Sequence, residues 1–347
     1  MPRIIVPVLL LVLAALACNA AADVTPEPTP ESEPEPTAEP TATPESAQPT
    51  LDRVEAPTAD PDATETPGLL IPERITVDGL ERGYVLHLPP AYDGSTPLPV
   101  IVALHGGGGR ALNMRNLTDL NPLANQEGFI VVYPQGIDQN WADGRGATGP
   151  DQTGVDDVNF ILTLLDALAA EYAIDPARVY ATGISNGGFM SQRLACEAPD
   201  RFAAVASVAA TFQADFSCDP ARPTPVLFIL GTDDPLVPYE GGEVAGERGA
   251  IFSAEESVTR WAAINGCGDT PPVTTTIPDA AADGTTAEVT TIGPCAQGSA
   301  VELVTVVGGG HTWPGGRQYL GEGLIGKTSR DFSASAWIWS FFKAYAR

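Results

Sequence analysis

The sequence predicts an α/β protein with a mostly parallel central sheet flanked by helices, preceded by a disordered tether. Three observations carry that expectation. Between residues 98 and 264, apolar runs of strand length alternate with runs of helical spacing, the order that builds crossover units. A small-residue turn, Gly183-Ile184-Ser185-Asn186-Gly187, joins one strand-like run to one helix-like run. Composition also changes near residue 67, where a segment dense in Pro, Thr and Glu gives way to one with ordinary apolar content.

Taken in order, the chain starts with a short basic stretch, Met1-Pro2-Arg3, and an apolar run over 4–17. That run is shorter than the roughly 20 residues a membrane-spanning helix needs, so residues 1–21 read as a signal peptide. Ala15-Leu16-Ala17-Cys18 has the form of a bacterial lipobox, with Cys18 the residue to be lipidated, although Ala stands where Leu is commoner. Ordinary cleavage near Ala20-Ala21-Ala22 is the alternative. Residues 22–67 carry twelve Asp or Glu and one Arg, a net −11, with few branched or aromatic side chains. Such a segment cannot bury enough apolar surface to offset its chain entropy and reads as an extended linker.

The remaining span, 68–347, is long enough for one sizeable domain. It opens with strand-like runs at 74–77 and 83–88 around Asp78-Gly79, a hairpin turn. Continuous apolar runs at 98–104 and 129–133 suit strands buried on both faces. A glycine-rich polar loop follows over 137–154. Val158, Ile161, Leu162, Leu165 and Leu168 then recur at helical spacing, predicting a helix over 156–172. Next come a strand at 178–182, a helix over 188–197, apolar runs at 202–209 and 225–230, a helix over 254–264, strands at 287–292 and 301–307, and a closing helix over 333–345. The Thr- and Pro-rich piece over 266–298 reads as a loop-rich insertion.

The formal charge of −26 comes without any Lys/Arg cluster, which argues against nucleic acid as a partner. Of five cysteines, Cys18 stands apart, leaving Cys196, Cys218, Cys267 and Cys295. Three pairings are open to four cysteines. The sequence-local one joins Cys196 to Cys218 and Cys267 to Cys295, each closing a loop of roughly twenty to thirty residues worth about 3 kcal/mol. The spacing lacks a C-x-x-C, so no metal site is expected, and no cofactor.

The serine-centred turn is the chemically informative stretch. A G-x-S-x-G between strand and helix forces a sharp turn that lifts the hydroxyl clear of the sheet, making Ser185 a candidate nucleophile. A serine hydroxyl needs a base and a group to orient that base. The chain has only three histidines. His87 lies inside a strand-like run and His105 ends another before four glycines, both structural positions; His311, in a glycine-rich loop after a strand, is the candidate base. An acid is expected between Ser185 and His311 at a strand end, where Asp233 and Asp234 stand. The order Ser, Asp, His is that of α/β hydrolases.

Together, His105-Gly106, Tyr133-Pro134-Gln135, Val155-Asp156-Asp157, Gly183 to Gly188, Asp234-Pro235-Leu236-Val237-Pro238-Tyr239 and Gly310-His311-Thr312-Trp313-Pro314-Gly315 resemble the secreted polyhydroxybutyrate depolymerase and feruloyl esterase family. The resemblance spans the folded part and implies the α/β-hydrolase fold, an extracellular or cell-surface location, and Asp234 rather than Asp233 as the acid. The family often has His before the Gly-Thr of this motif, where this chain has Leu230. It implies ester hydrolysis, with feruloyl or acetyl esters of plant polysaccharide favoured over polyhydroxybutyrate-type esters. The expected oxyanion donors are the backbone N–H groups of Gly107 and Asn186. Trp141 and Trp313 are candidates to line a substrate subsite. Two other readings stay open: a prolyl-oligopeptidase-like peptidase, and a non-catalytic glycan-binding surface lipoprotein. The only membrane partner expected is through a lipid on Cys18.

Overall fold

The computed structural model describes residues 51–53 and 73–347. The leader, Cys18 and most of the acidic linker therefore lie outside the described residues. In chain order the strands are β1 (Leu51–Arg53), β2 (Glu73–Val77), β3 (Leu80–His87), β4 (Leu98–Leu104), β5 (Ile130–Pro134), β6 (Ile174–Ile184), β7 (Ala204–Val208), β8 (Val226–Gly231), β9 (Gly242–Glu243), β10 (Ala250–Ile251), β11 (Val273–Ile277), β12 (Thr286–Ile292) and β13 (Val301–Val307). The helices are α1 (Ala111–Thr118), α2 (Leu120–Glu127), α3 (Gly149–Thr153), α4 (Asp157–Glu171), α5 (Asn186–Glu197), α6 (Ala254–Ile264), α7 (Glu322–Ile325) and α8 (Ala334–Phe342).

All strands but β9 and β10 form one sheet, in the order β1-β2-β3-β5-β4-β6-β7-β8-β13-β12-β11. From β5 to β13 every pairing is parallel. Outside that block, β1, β2 and β3 pair antiparallel on one flank and β12 and β11 on the other.

The apolar runs explain the layering. A strand points alternate side chains to opposite faces. On β4, Val100, Val102 and Leu104 enter a core shared with α4, α5 and α6, whereas Ile101 and Ala103 enter one shared with α1, α2 and α8. Because both faces are covered, β5, β7 and β8 are buried along their whole length. Sequence that alternates polar and apolar residues could not occupy these positions without stranding polar groups.

Local signals set the element ends. The Asp78-Gly79 turn has φ of 52° and 76°, the doubly left-handed turn whose twist suits a two-residue hairpin. Helix α4 is capped by the Asp156 carboxylate, which accepts the Asn159 N–H at 2.8 Å. Helix α6 carries a reciprocal cap between Ser253 and Glu256.

Several elements differ from the sequence reading. Three residues of the expected linker, Leu51–Arg53, form the edge strand β1. Helices α1 and α2 were not foreseen, because ALNMRNLT and LNPLANQE carry few apolar residues and their burial comes from docking on the sheet. Within 266–298 the strand expected at 287–292 is present as β12, but β11 was not foreseen; the pair extends the main sheet, so the segment is not a loop-rich insertion, and its Thr and Val residues suit a pleated surface. Both disulfides follow the sequence-local pairing, Cys196–Cys218 and Cys267–Cys295. The first ties the last turn of α5 to the loop before β8; the second clasps the base of the β11–β12 hairpin.

Candidate active site

Ser185 lies between β6 and α5 with φ 56° and ψ −122°. A side-chain-bearing residue there costs on the order of 1–3 kcal/mol and persists only where its surroundings enforce it. Two kinds of contact do so. The Ser185 N–H donates to Val208 O at 2.8 Å, and its carbonyl accepts Phe189 N–H at 3.0 Å, starting α5. The flanking glycines let backbone pass against backbone: a Cβ on Gly187 would stand 2.3 Å from Leu104 O, and one on Gly183 would stand 2.4 Å from the Gly187 carbonyl carbon. Only glycine fits at either position. The elbow is therefore wedged against the end of β4.

The acid and base come from neighbouring strands at the same sheet edge. Ile184 stands level with Val208, Val208 with Ile229, and Ile229 with Val304, so Ser185 emerges beside the loops that follow β8 and β13. Asp234 follows β8. One carboxylate oxygen, Oδ1, accepts the N–H groups of Leu236 and Val237, both at 2.8 Å. The other, Oδ2, accepts His311 Nδ1–H at 2.7 Å, and both side chains are buried. With its Nδ1 proton committed, the imidazole keeps Nε2 as its free basic nitrogen. Asp233 is exposed, and among the described residues its carboxylate accepts only the hydroxyl of its neighbour Thr232. The loop carrying His311 is held in turn: its N–H donates to Ile325 O at 2.6 Å and its carbonyl accepts the Tyr319 hydroxyl at 2.8 Å. Among the described residues Ser185 Oγ has no hydrogen-bond partner. The imidazole–carboxylate pair is formed and buried.

The two expected oxyanion donors are adjacent. A Cβ on Gly107 would lie 3.7 Å from Asn186 Cβ. Neither backbone N–H has an acceptor among the described residues. Asn186 is the first residue of α5, where N–H groups have no partner inside the helix and the helix dipole favours negative charge.

His105 underlies this loop as a structural group. Its Nδ1 donates to Gly106 O at 2.9 Å while Nε2 accepts the Gly136 N–H at 3.0 Å, fixing a neutral tautomer. Burial lowers its pKa to about 4. A free histidine titrates near 6.5, so the unfolded chain takes up the proton first as pH falls. The stability His105 contributes is thus complete above about pH 6.5 and lost between there and about pH 4, roughly 3 kcal/mol in all. Urea midpoints measured across that window should fall with acidity in the parent and less steeply in His105→Gln; equal slopes would rule this out.

Trp141 and Trp313, expected at the substrate, are closed to solvent at 0% and 1% exposure, which corrects that expectation. The Trp141 indole N–H donates to His105 O at 2.9 Å and its ring packs 4.9 Å from the His105 ring. The Trp313 indole N–H donates to Ser335 Oγ at 3.1 Å within the core under α8. Both aromatics brace loops that carry site residues. Reading the sequence also missed Asp157, whose Oδ1 pairs with buried Arg82 at 2.6 Å and whose Oδ2 accepts Ala142 N–H at 2.7 Å. The Val155-Asp156-Asp157 block was its only trace.

A family model described as esterase PHB depolymerase matches residues 82–218. The chain is 35% identical over 277 residues to "Putative esterase NocK" of Nocardia uniformis subsp. tsuyamanensis, spanning 75% of this chain and 79% of that protein. It is 30% identical over 241 residues to feruloyl esterase B of Piromyces equi, 66% of this chain and 42% of that protein. Among solved structures, an acetyl xylan esterase from Aspergillus awamori overlays with a TM-score of 0.49 at 18% identity, covering 67% of this chain and 89% of that one. The chain is a carboxylic ester hydrolase of the α/β-hydrolase fold and belongs to the polyhydroxybutyrate depolymerase and feruloyl esterase family.

Proposed function

We propose that this protein is an exported serine esterase that works through an acyl-enzyme. The observation that carries the reading is the buried 2.7 Å bond between His311 Nδ1 and Asp234 Oδ2 at the sheet edge from which Ser185 emerges. Ser185 Oγ attacks the ester carbonyl as His311 Nε2 takes its proton, and the Asp234 carboxylate stabilises the imidazolium. The oxyanion is met by the N–H groups of Gly107 and Asn186. Collapse of the adduct breaks the carbonyl–alkoxy bond, and the imidazolium returns its proton to the departing alcohol. Water, deprotonated by His311, then attacks the acyl-serine; the carboxylic acid leaves and Ser185 regains its proton.

Feruloyl or acetyl esters of plant polysaccharide are the favoured substrates, since relatives include enzymes named feruloyl esterase and a bifunctional acetylxylan esterase/xylanase. Polyhydroxybutyrate-type esters come second. Two disulfides suit an oxidising compartment and so support export. The leader would then be removed and Cys18 lipidated, an addition that the intact mass of the mature chain reads directly. Methyl ferulate, p-nitrophenyl acetate, a hydroxybutyrate oligomer and a peptide amide, assayed side by side, test the assignment. Turnover of the ferulate and acetate without cleavage of the amide is expected. Amide cleavage at a comparable rate, or no ester turnover at all, would overturn it.

A further inference from the structure

The Asn186 side chain does something its backbone role does not require. Although it opens a helix at the mouth of the site, it is buried, and its amide is fully engaged. Oδ1 accepts Trp141 N–H at 2.8 Å, while Nδ2 donates to Trp141 O at 3.1 Å and to Asp143 Oδ2 at 2.5 Å. One side chain thus grips both polar groups of a residue 45 positions away and the carboxylate just beyond it.

Asp143 is the fixed end of this clamp. It is wholly buried. Its carboxylate takes the Arg145 guanidinium, with Nη2 at 2.6 Å from Oδ2, and its carbonyl accepts Gln213 Nε2 at 2.8 Å. Arg145 in turn lies 4.1 Å over the ring of Phe189, on the first turn of α5. A buried carboxylate is costly unless its oxygens are met, and breaking one partner leaves the rest exposed to that cost. The same segment also grips the other half of the oxyanion site. The Trp141 indole holds His105 O, and Gly108 N–H donates to Gln139 O at 2.8 Å.

We infer that Asp143, acting through the Asn186 side chain, is a positioning residue that sets the spacing between the Gly107 and Asn186 backbone donors. Trp141 is the rigid spacer between them. The helix start bearing one donor and the glycine loop bearing the other are bolted to the same five-residue stretch, Gln139 to Asp143, so neither moves without breaking hydrogen bonds to it. Donors aimed at a developing oxyanion are effective only when held in place beforehand, and displacement by about 1 Å can cost 100-fold in rate.

The inference rests on the esterase reading above, and the test separates the two. Asn186→Ala keeps the backbone N–H and removes only the clamp. Asp143→Asn keeps the shape but turns an amide NH2 toward either the Asn186 NH2 or Arg145. Each should lower kcat by about 10- to 100-fold with KM within about threefold, because substrate binding does not use the oxyanion donors fully. Each should also weaken inhibition by an alkylboronic acid, whose tetrahedral adduct on Ser185 places an oxygen in the hole, by a similar factor. The double variant should be no slower than the worse single, since both cut one linkage. If Asp143→Asn fails to fold, the kcat and boronate readings on Asn186→Ala decide alone. Unchanged boronate affinity alongside reduced kcat, or additive losses in the double variant, would overturn the clamp. Ser185→Ala retaining activity in the same assay would overturn the esterase reading and the clamp with it.

Discussion

Ser185→Ala should lower kcat for an activated ester on the order of 10⁶-fold while shifting the melting temperature by less than about 2 °C. The split follows from where the residue sits. Ser185 Oγ has no hydrogen-bond partner among the described residues, so removing it breaks no bond of the fold. Alanine keeps the Cβ, so the strain at φ 56° is the same before and after. Val208 O, Phe189 N and the close passage of Gly183 and Gly187 hold the turn without help from the hydroxyl. What disappears is the covalent route, leaving only binding and the oxyanion donors acting on direct attack by water. Initial rates with p-nitrophenyl acetate and a melt of the same preparation check both halves. Activity within tenfold of the parent would mean another nucleophile.

Asp234→Asn should cost about 10⁴-fold in kcat with little change in KM, and local hydrogen bonding says why. In the parent, Oδ1 receives two backbone N–H groups and Oδ2 receives the imidazole Nδ1–H. An asparagine must place its oxygen against the two backbone donors, because turning its NH2 toward them would leave donors facing donors in a buried pocket. Its NH2 then points at His311 Nδ1. The imidazole can accept that bond only by moving its proton to Nε2, the atom that has to receive the serine proton. The ring stays in place in the wrong tautomer. Steady-state kinetics of the purified variant read the loss, and a loss below about tenfold would show that Asp234 does not fix the tautomer.

The two side chains differ in how much of the molecule holds them. Ser185 is held by its backbone alone, so its side chain is free to react. Asp234 is held by its side chain, so a change of one atom is transmitted to the ring beside it. Cys196–Cys218 adds to the first case by anchoring the far end of α5, the helix that begins at the Ser185 turn.

Much of the architecture was legible because several central strands are apolar along their whole length. The runs at 98–104, 129–133 and 225–230 could be read as doubly covered strands, and the sheet places them so. Helix α4 was legible for the related reason that its apolar spacing matches one face. Helices α1 and α2 were not, because residues such as Met114, Leu120 and Ala124 are buried by what docks on them. Strand β11 was misread because Thr-rich sequence is equally compatible with a solvated loop; β12, foreseen at 287–292, tips the balance by pairing with it along its length.

The candidate chemistry was legible in the amino-acid order: three histidines left His311 as the candidate base, and the family resemblance pointed to Asp234 between it and Ser185. That order also determined the turn, since glycines at 183 and 187 are demanded by contacts of the backbone with itself. Only the folded chain shows the bond between Asp234 and the His311 ring, that Trp141 and Trp313 brace rather than line the site, and that Asp143 grips Asn186. The physical reason is the range of the forces involved. Chain-local sterics and apolar periodicity are written in neighbouring residues, whereas a buried hydrogen bond is defined only when two segments far apart in sequence exclude water between them.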